Sequence, residues 1–325
     1  MNKMKKKAIL ISAVCVAVTA SAAVGVFVFT RSEENKTNDL PDEGKSILTN
    51  SSSWNRTRDN TQHTVGEYSL GNTAERVKND LSDEFEVSHK FVDEVPVYEM
   101  YRRDAKNAPI VIFLHGQFSE KEENLDEMTE YADAGYFCVA LDLQGHGERI
   151  SSEPLMALEI TKNTADDLDL LLDYYEAAGL ADADKFALVG FSQGGSVAYW
   201  YSVYGDRVPG ALVVGSTSPD YSYSYDDKCI CNGEVADPVW SEEETKAFVT
   251  QYNPIQHADK LMQMPIMSGN SINDDVVSYK GSESLEKILK KGGNTKIRFY
   301  YFDNAGHNVT TEFVSKVLPF IRQYM

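Results

Sequence analysis

From residue 85 to the C-terminus, short continuous apolar runs alternate with longer amphipathic stretches. Residues 85–92 and 95–101 each alternate with period two and predict a β-hairpin. Residues 109–114, Pro-Ile-Val-Ile-Phe-Leu, are apolar without interruption. That is the pattern of a strand buried on both faces. Residues 136–141, 186–189, 211–214, 265–267 and 296–301 read as further strands. Between them, helical spacing predicts helices over 120–134, 164–178, 194–204, 282–291 and 310–324. In 164–178 the stripe Leu168, Leu171, Leu172 and Tyr175 lies opposite a row of acids, so one face packs and the other meets water. Strand and helix in repeated alternation imply an α/β protein, with a mostly parallel central sheet and helices on both faces.

Two stretches depart from this rhythm. Lys3, Lys5, Lys6 and Lys7 precede a nearly unbroken apolar run from Ala8 to Phe29. Basic residues before an apolar segment form an export signal, and this run is close to the ~20 residues that span a bilayer. Residues 1–30 therefore read as a signal-anchor or, with cleavage after Ala22, a signal peptide. Residues 31–70 are rich in Ser, Thr, Asn, Asp and Glu and read as a flexible extracytoplasmic linker. Residues 71–325 read as the folded α/β body. The expected location is the cell membrane, with a single pass and the body outside, or a secreted form if the segment is cut. The second departure is 217–259, an insertion carrying Tyr221, Tyr223, Tyr225, Trp240 and Tyr252 among many acids. Loops at the carboxyl ends of parallel strands surround ligand crevices, so this insertion is a candidate cap.

Charge narrows the range of partners. The chain holds 31 basic and 50 acidic side chains, a formal net charge of −19. Residues 1–31 contribute five bases and no acid, so the remainder carries 26 − 50 = −24. Such a body repels phosphate backbones, and nucleic-acid binding is excluded as a main function. Hydrophobic residues at 42% and charged residues at 25% fit a folded body rather than a disordered chain. Membrane contact is expected through the N-terminal helix alone.

The candidate chemistry is concentrated at four loops. Gly190-Phe191-Ser192-Gln193-Gly194 lies between a buried strand and a helix, the context a nucleophile elbow requires. The serine must sit on a sharp turn with its hydroxyl exposed, and side chains two before and two after would collide with strand and helix. Leu114-His115-Gly116-Gln117 ends an earlier strand. Its backbone N–H at Gln117, with Phe118 as the alternative, and that of Gln193 are the candidate oxyanion donors. His115 reads as a structural part of that loop. Of six histidines, only His307, in Asn-Ala-Gly-His-Asn after the last strand, follows the serine on a late loop. It is the candidate base. An acid should lie between them just after a strand. Asp274 is the choice, with Asp275 the alternative; its role is to fix the imidazole tautomer and stabilise the imidazolium.

Taken together, these pieces resemble the α/β-hydrolase superfamily of serine hydrolases over roughly residues 85–325. They are Leu-His-Gly-Gln at 114–117, Asp-Leu-Gln-Gly-His-Gly at 142–147, Gly-Phe-Ser-Gln-Gly at 190–194, Asp-Asp-Val-Val at 274–277 and Gly-His at 306–307. The segment 142–147 is similar to the Asp-x-Arg-Gly-His-Gly turn of esterases, lysophospholipases and prolyl-oligopeptidase-like enzymes, with Gln144 in place of Arg. The resemblance implies an α/β-hydrolase fold and a small-molecule ester or acyl substrate. It also implies an acyl-enzyme on Ser192, and no metal or organic cofactor. A carboxylesterase is the leading expectation. A peptidase or amidase, a thioesterase or lysophospholipase, and a catalytically silent binding protein are the alternatives. Cys138 reads as a small core residue. Cys229-Ile230-Cys231 in the insertion reads as two free thiols, a redox pair or a strained bridge, and no second ligand pair completes a zinc site.

Overall fold

The computed structural model describes residues 63–223 and 229–325. The expectations for the membrane segment and for the linker up to residue 62 lie outside the described residues. Among the described residues, no helix is long and apolar enough to cross a membrane.

The chain opens with β1 (Val65–Tyr68), α1 (Asn72–Asp80), β2 (Phe85–Val92) and β3 (Val95–Arg102). It continues with β4 (Pro109–Leu114), a 3-10 turn at Lys121–Asn124, α2 (Leu125–Asp133), β5 (Phe137–Leu141), β6 (Leu155–Met156) and α3 (Ala157–Ala177). Next come β7 (Asp182–Phe191), α4 (Gln193–Tyr204) and β8 (Ala211–Gly215). The insertion supplies β9 (Cys229–Cys231), β10 (Glu234–Ala236) and α5 (Glu242–Tyr252). The closing elements are β11 (Ile266–Ser271), α6 (Lys280–Lys291), β12 (Ile297–Phe302) and α7 (Thr311–Tyr324). Nine strands form one sheet in the order β1-β2-β3-β5-β4-β7-β8-β11-β12. The six strands from β5 to β12 run parallel, and β1, β2 and β3 pair antiparallel at one edge.

The uninterrupted apolar strands feed two cores at once. In β4, Ile110, Ile112 and Leu114 join the cluster that holds α3, α4 and α6 residues. Val111 and Phe113 join the opposite cluster with α1, α2 and α7 residues. β5 repeats the split, with Phe137, Val139 and Leu141 on one side and Cys138 and Ala140 on the other. Period-two alternation with both faces apolar is what a strand covered by helices on each side must show. The stripe Leu168, Leu171, Leu172 and Tyr175 of α3 is wholly buried, each leucine contributing about 1.5–3 kcal/mol of burial.

The boundary placed at residue 71 is corrected. Val65–Tyr68 is a strand paired antiparallel with β2, Val65 facing Val92 and Tyr68 facing His89. His63 reaches Asp93 at 3.1 Å. The strand is an edge strand whose Val65 and Tyr68 stay exposed. Backbone pairing rather than an apolar face holds it, so no hydrophobic alternation announces it. The segment 120–134 also differs: a tight 3-10 turn precedes an α-helix that begins at Leu125.

β4 and β7 are neighbours in the sheet, yet α2, reached from β4, packs on one face and α4, which follows β7, on the other. The loops leaving these two strands therefore diverge. They leave a crevice at the carboxyl edge of the sheet, where ligands bind in open α/β folds.

Candidate active site

The nucleophile candidate sits at that crevice. Ser192 links β7 directly to α4 with φ 50° and ψ −115°, a conformation L-residues avoid unless the surroundings impose it. Here the surroundings do. A Cβ on Gly194 would stand 2.1 Å from the Leu114 carbonyl oxygen, and one on Gly190 would stand 2.4 Å from that of Gly194. The first turn of α4 thus lies hard against the end of β4, and only glycines permit it. Ser192 N–H donates to Gly215 O at 2.9 Å, which ties the turn to β8.

His307 and Asp274 arrive from two other strand ends. Asp274 lies on the loop after β11, and its side chain is 1% exposed. Its Oδ1 accepts the backbone N–H groups of Val276 and Val277, each at 2.9 Å. His307 lies between β12 and α7, with its ring 5.6 Å from that of Phe191. Its Nδ1 is 2.9 Å from Asp274 Oδ2, and its Nε2 is 2.8 Å from Ser192 Oγ. The carboxylate can only accept, so Nδ1 carries the proton and Nε2 is left to accept from the serine hydroxyl. Asp275, the alternative acid, is exposed.

The candidate oxyanion donors are beside the serine. An added Cβ on Gly116 would be 3.5 Å from Ser192 Cβ. Residues 116–119 form a turn closed by Ser119 N–H to Gly116 O at 3.3 Å, with Phe118 at φ 64°. Among the described residues, neither Gln117 N–H nor Phe118 N–H has a partner. Gln193 opens α4, where the first N–H groups lack helical partners. Its side chain turns away, donating to Ala157 O at 2.9 Å and to Thr161 Oγ1 at 2.6 Å. Only its backbone faces the crevice side of the turn.

His115 is structural, as expected of its place. It is 3% exposed. Its Nε2 accepts Leu143 N–H at 3.1 Å, so Nδ1 carries the proton and donates to Gly116 O at 2.7 Å. Burial pushes its pKa down from 6.5 to about 4, only partly opposed by the bond to Gly116. The folded state resists protonation that the unfolded chain accepts. Stability tied to His115 is therefore complete above pH 6.5 and lost as pH falls toward 4, by about 3 kcal/mol. Urea unfolding of the wild type at pH 7.5 and 4.5 should show this loss, and His115→Gln should show a smaller one. Equal losses in the two proteins would contradict the assignment.

The remaining histidines have other partners. His89 Nε2 lies 2.7 Å from Glu148 Oε2, and His146 Nδ1 lies 3.0 Å from Gln144 O. Gln144 Oε1 accepts from Asn163 Nδ2 at 2.7 Å and so faces α3. Cys138, Cys229 and Cys231 are free thiols, and burial holds the Cys138 thiol well above its ordinary pKa. Among the described residues, no group of three or more His, Cys, Asp or Glu side chains could hold a metal ion. One residue of the site region escapes sequence reasoning. Lys121, inside Ser-Glu-Lys-Glu-Glu-Asn, is fully buried, whereas a lysine in an acidic run reads as solvated.

A doubly covered, mostly parallel sheet with a serine–histidine–aspartate chain at the carboxyl edge defines an α/β-hydrolase of the serine hydrolase class. The model of the prolyl oligopeptidase family matches residues 123–325, more than half of the chain, and the chain belongs to that family. It is 24% identical over 255 residues to the esterase-named protein YitV of Bacillus subtilis (strain 168), covering 74% of this chain and 99% of that one. It is 22% identical over 251 residues to Esterase YjfP of Escherichia coli (strain K12), again covering 74% and 99%. Among solved structures, an acetyl xylan esterase from Paenibacillus sp. R4 superposes with a TM-score of 0.61 at 14% identity, covering 82% of this chain and 89% of that one. At that identity the likeness concerns the fold.

Proposed function

We propose that this chain is an extracytoplasmic hydrolase of carboxylic esters that works through Ser192, His307 and Asp274. The observation that carries the reading is the unbroken chain Asp274–His307–Ser192 at 2.9 and 2.8 Å, beside backbone N–H groups that have no partner. In the first step Nε2 of His307 takes the Ser192 proton as Oγ attacks the ester carbonyl. Asp274 stabilises the imidazolium, and the N–H groups of Gln117 and Gln193 receive the oxyanion. His307 returns the proton to the leaving alcohol, and an acyl-enzyme remains. Water, deprotonated by His307, then releases the acid.

Two features support an ester with apolar parts. The curated relatives, matched over 99% of their own length, carry esterase names. Phe118, Ile150, Tyr223, Ile272 and Val276 are exposed, and all lie on loops after β4, β5, β8 or β11, at the edge where Ser192 stands. The outside location is supported by the basic residues 3–7 followed by the apolar run to Phe29. The family match favours a second reading, a peptidase.

One experiment separates these readings. The purified full chain is assayed on p-nitrophenyl esters of graded chain length beside aminoacyl p-nitroanilides, and cells producing it are given an ester that cannot cross membranes. Esters should turn over at least ~10²-fold faster than anilides, and intact cells should match lysed ones. The ratio leans on the easier expulsion of a phenol than of an amine. Faster anilide cleavage would establish the peptidase, and activity released only by lysis would refute the location.

A further inference from the structure

Lys121 is a charged side chain with no access to water, and nothing in the proposed chemistry uses it. Its surroundings show what it holds. Lys121 Nζ donates to Asp142 Oδ2 at 2.8 Å and to Glu148 Oε2 at 2.6 Å. Its backbone N–H donates to Asp142 Oδ1 at 2.9 Å. Asp142 itself is fully buried and also accepts Glu148 N–H at 2.9 Å. Glu148 reaches His89 on β2, and the Lys121 ammonium stands 5.2 Å from the centre of the Tyr98 ring on β3. Burial alone would lower the Lys121 pKa. Attraction to Asp142 and the bond with it, then Glu122 and Glu148, outweigh burial and raise it. Glu148 is likewise penalised by burial, but its bonds to His89 and Lys121 prevail and hold it down at about 2. Lys121 and Glu148 are thus both charged throughout the neutral range.

The position of this cluster in the chain gives it a consequence for catalysis. The segment 115–121 begins at His115, whose Nε2 accepts Leu143 N–H, and ends at Lys121, bonded twice to Asp142. Both ends of the segment are therefore fastened to the single turn that follows β5. Between them lies the turn 116–119, whose Gln117 and Phe118 N–H groups have no partner among the described residues, and whose Phe118 is held at a left-handed φ of 64°. A strained turn between two anchors keeps its shape only while both anchors hold.

Resting on the ester-hydrolase reading above, we propose that Lys121 is a positioning residue: its buried pairing with Asp142 fixes the loop that presents the oxyanion donor to the carbonyl attacked by Ser192. It touches neither substrate nor reacting atoms. A donor displaced by about 1 Å forfeits transition-state stabilisation on the order of 10²-fold while leaving ground-state binding alone.

The test compares Lys121→Met with a matched control. Lys90→Met breaks another lysine–carboxylate pair, that of the half-buried Lys90 with the buried Glu99, Nζ to Oε2 at 2.7 Å, on strands β2 and β3 away from Ser192. Both are studied in the full chain below their melting temperatures, with a p-nitrophenyl ester as substrate and a trifluoromethyl ketone as inhibitor. Ser192 Oγ adds to the ketone carbon, the C=O pair moves onto oxygen, and the Oγ proton passes to His307, so the adduct carries the oxyanion. For Lys121→Met, kcat should fall on the order of 10²-fold, the inhibition constant should rise by the same factor, and KM should hold. Lys90→Met should lower the melting temperature and leave all three constants unchanged. Should Lys121→Met not fold, Asp142→Asn carries the same expectation. A folded Lys121 or Asp142 variant with wild-type kcat and inhibition constant would overturn the proposal, as would a Lys90 variant with equal losses. Wild-type protein without ester turnover would instead refute the ester-hydrolase reading on which it rests.

Discussion

Ser192→Ala should lower kcat for a p-nitrophenyl ester by roughly 10⁴- to 10⁶-fold, the range seen when a serine nucleophile is removed from its base and donors. Without Oγ no acyl-enzyme can form, and the imidazole of His307 loses its hydrogen-bond partner at Nε2. A residual rate above water should survive, because the N–H groups of Gln117 and Gln193 remain in place to receive an oxyanion generated by direct attack of water. Folding should be nearly unaffected. Alanine adopts the same left-handed backbone as serine at comparable cost, and the N–H of residue 192 still reaches Gly215 O. The measurement is kcat by stopped assay, together with labelling by a fluorophosphonate and a thermal melt. Wild-type labelling at unchanged rate in the alanine variant would place the nucleophile elsewhere and refute the proposed mechanism.

The parts of this site that the sequence discloses are those whose chemistry depends on local constraints. Gly190 and Gly194 are legible because a strand, a sharp turn and a helix cannot meet with side chains at those positions. The geometry gives the same reason, as backbone atoms approach within 2.1 and 2.4 Å of where a Cβ would stand. The buried strands are legible because both of their faces are apolar. What stays hidden depends on distant pairing. β1 is held by β2 through its backbone and has no apolar stripe. β6, β9 and β10 are strands of two or three residues in a small separate sheet, too short for any period to show. Lys121 becomes intelligible only once the turn 142–149 is folded against it, since its partners Asp142 and Glu148 stand 21 and 27 positions away. The helix α3 begins at Ala157, seven residues before the amphipathic stripe suggests. There Glu159 turns back to accept Met156 N–H at 3.0 Å, and both faces of the first turn are covered.

The adjacent carboxylates Asp274 and Asp275 pose the problem that local sequence cannot resolve, and their amide variants should separate sharply. Asp274→Asn should reduce kcat on the order of 10⁴-fold, the cost known for the equivalent change in a serine protease triad. The reason is tautomeric. Asp274 Oδ2 is 2.9 Å from His307 Nδ1, and the carboxylate compels that nitrogen to carry the proton. An asparagine can present its NH2 group there instead. Nδ1 then becomes the acceptor, and the proton moves to Nε2, where it faces Ser192 and blocks base catalysis. Nor can a neutral amide stabilise the imidazolium that forms during attack. The fold should survive, because the Asn carbonyl oxygen can replace Oδ1 in accepting the N–H groups of Val276 and Val277. Asp275→Asn removes one exposed charge from a surface already strongly acidic and should leave kcat unchanged. The decisive data are kcat and KM for both variants with melting curves beside them. A large loss in Asp275→Asn with little in Asp274→Asn would reverse the assignment, and equal, small losses would mean that His307 does not depend on either carboxylate for its tautomer.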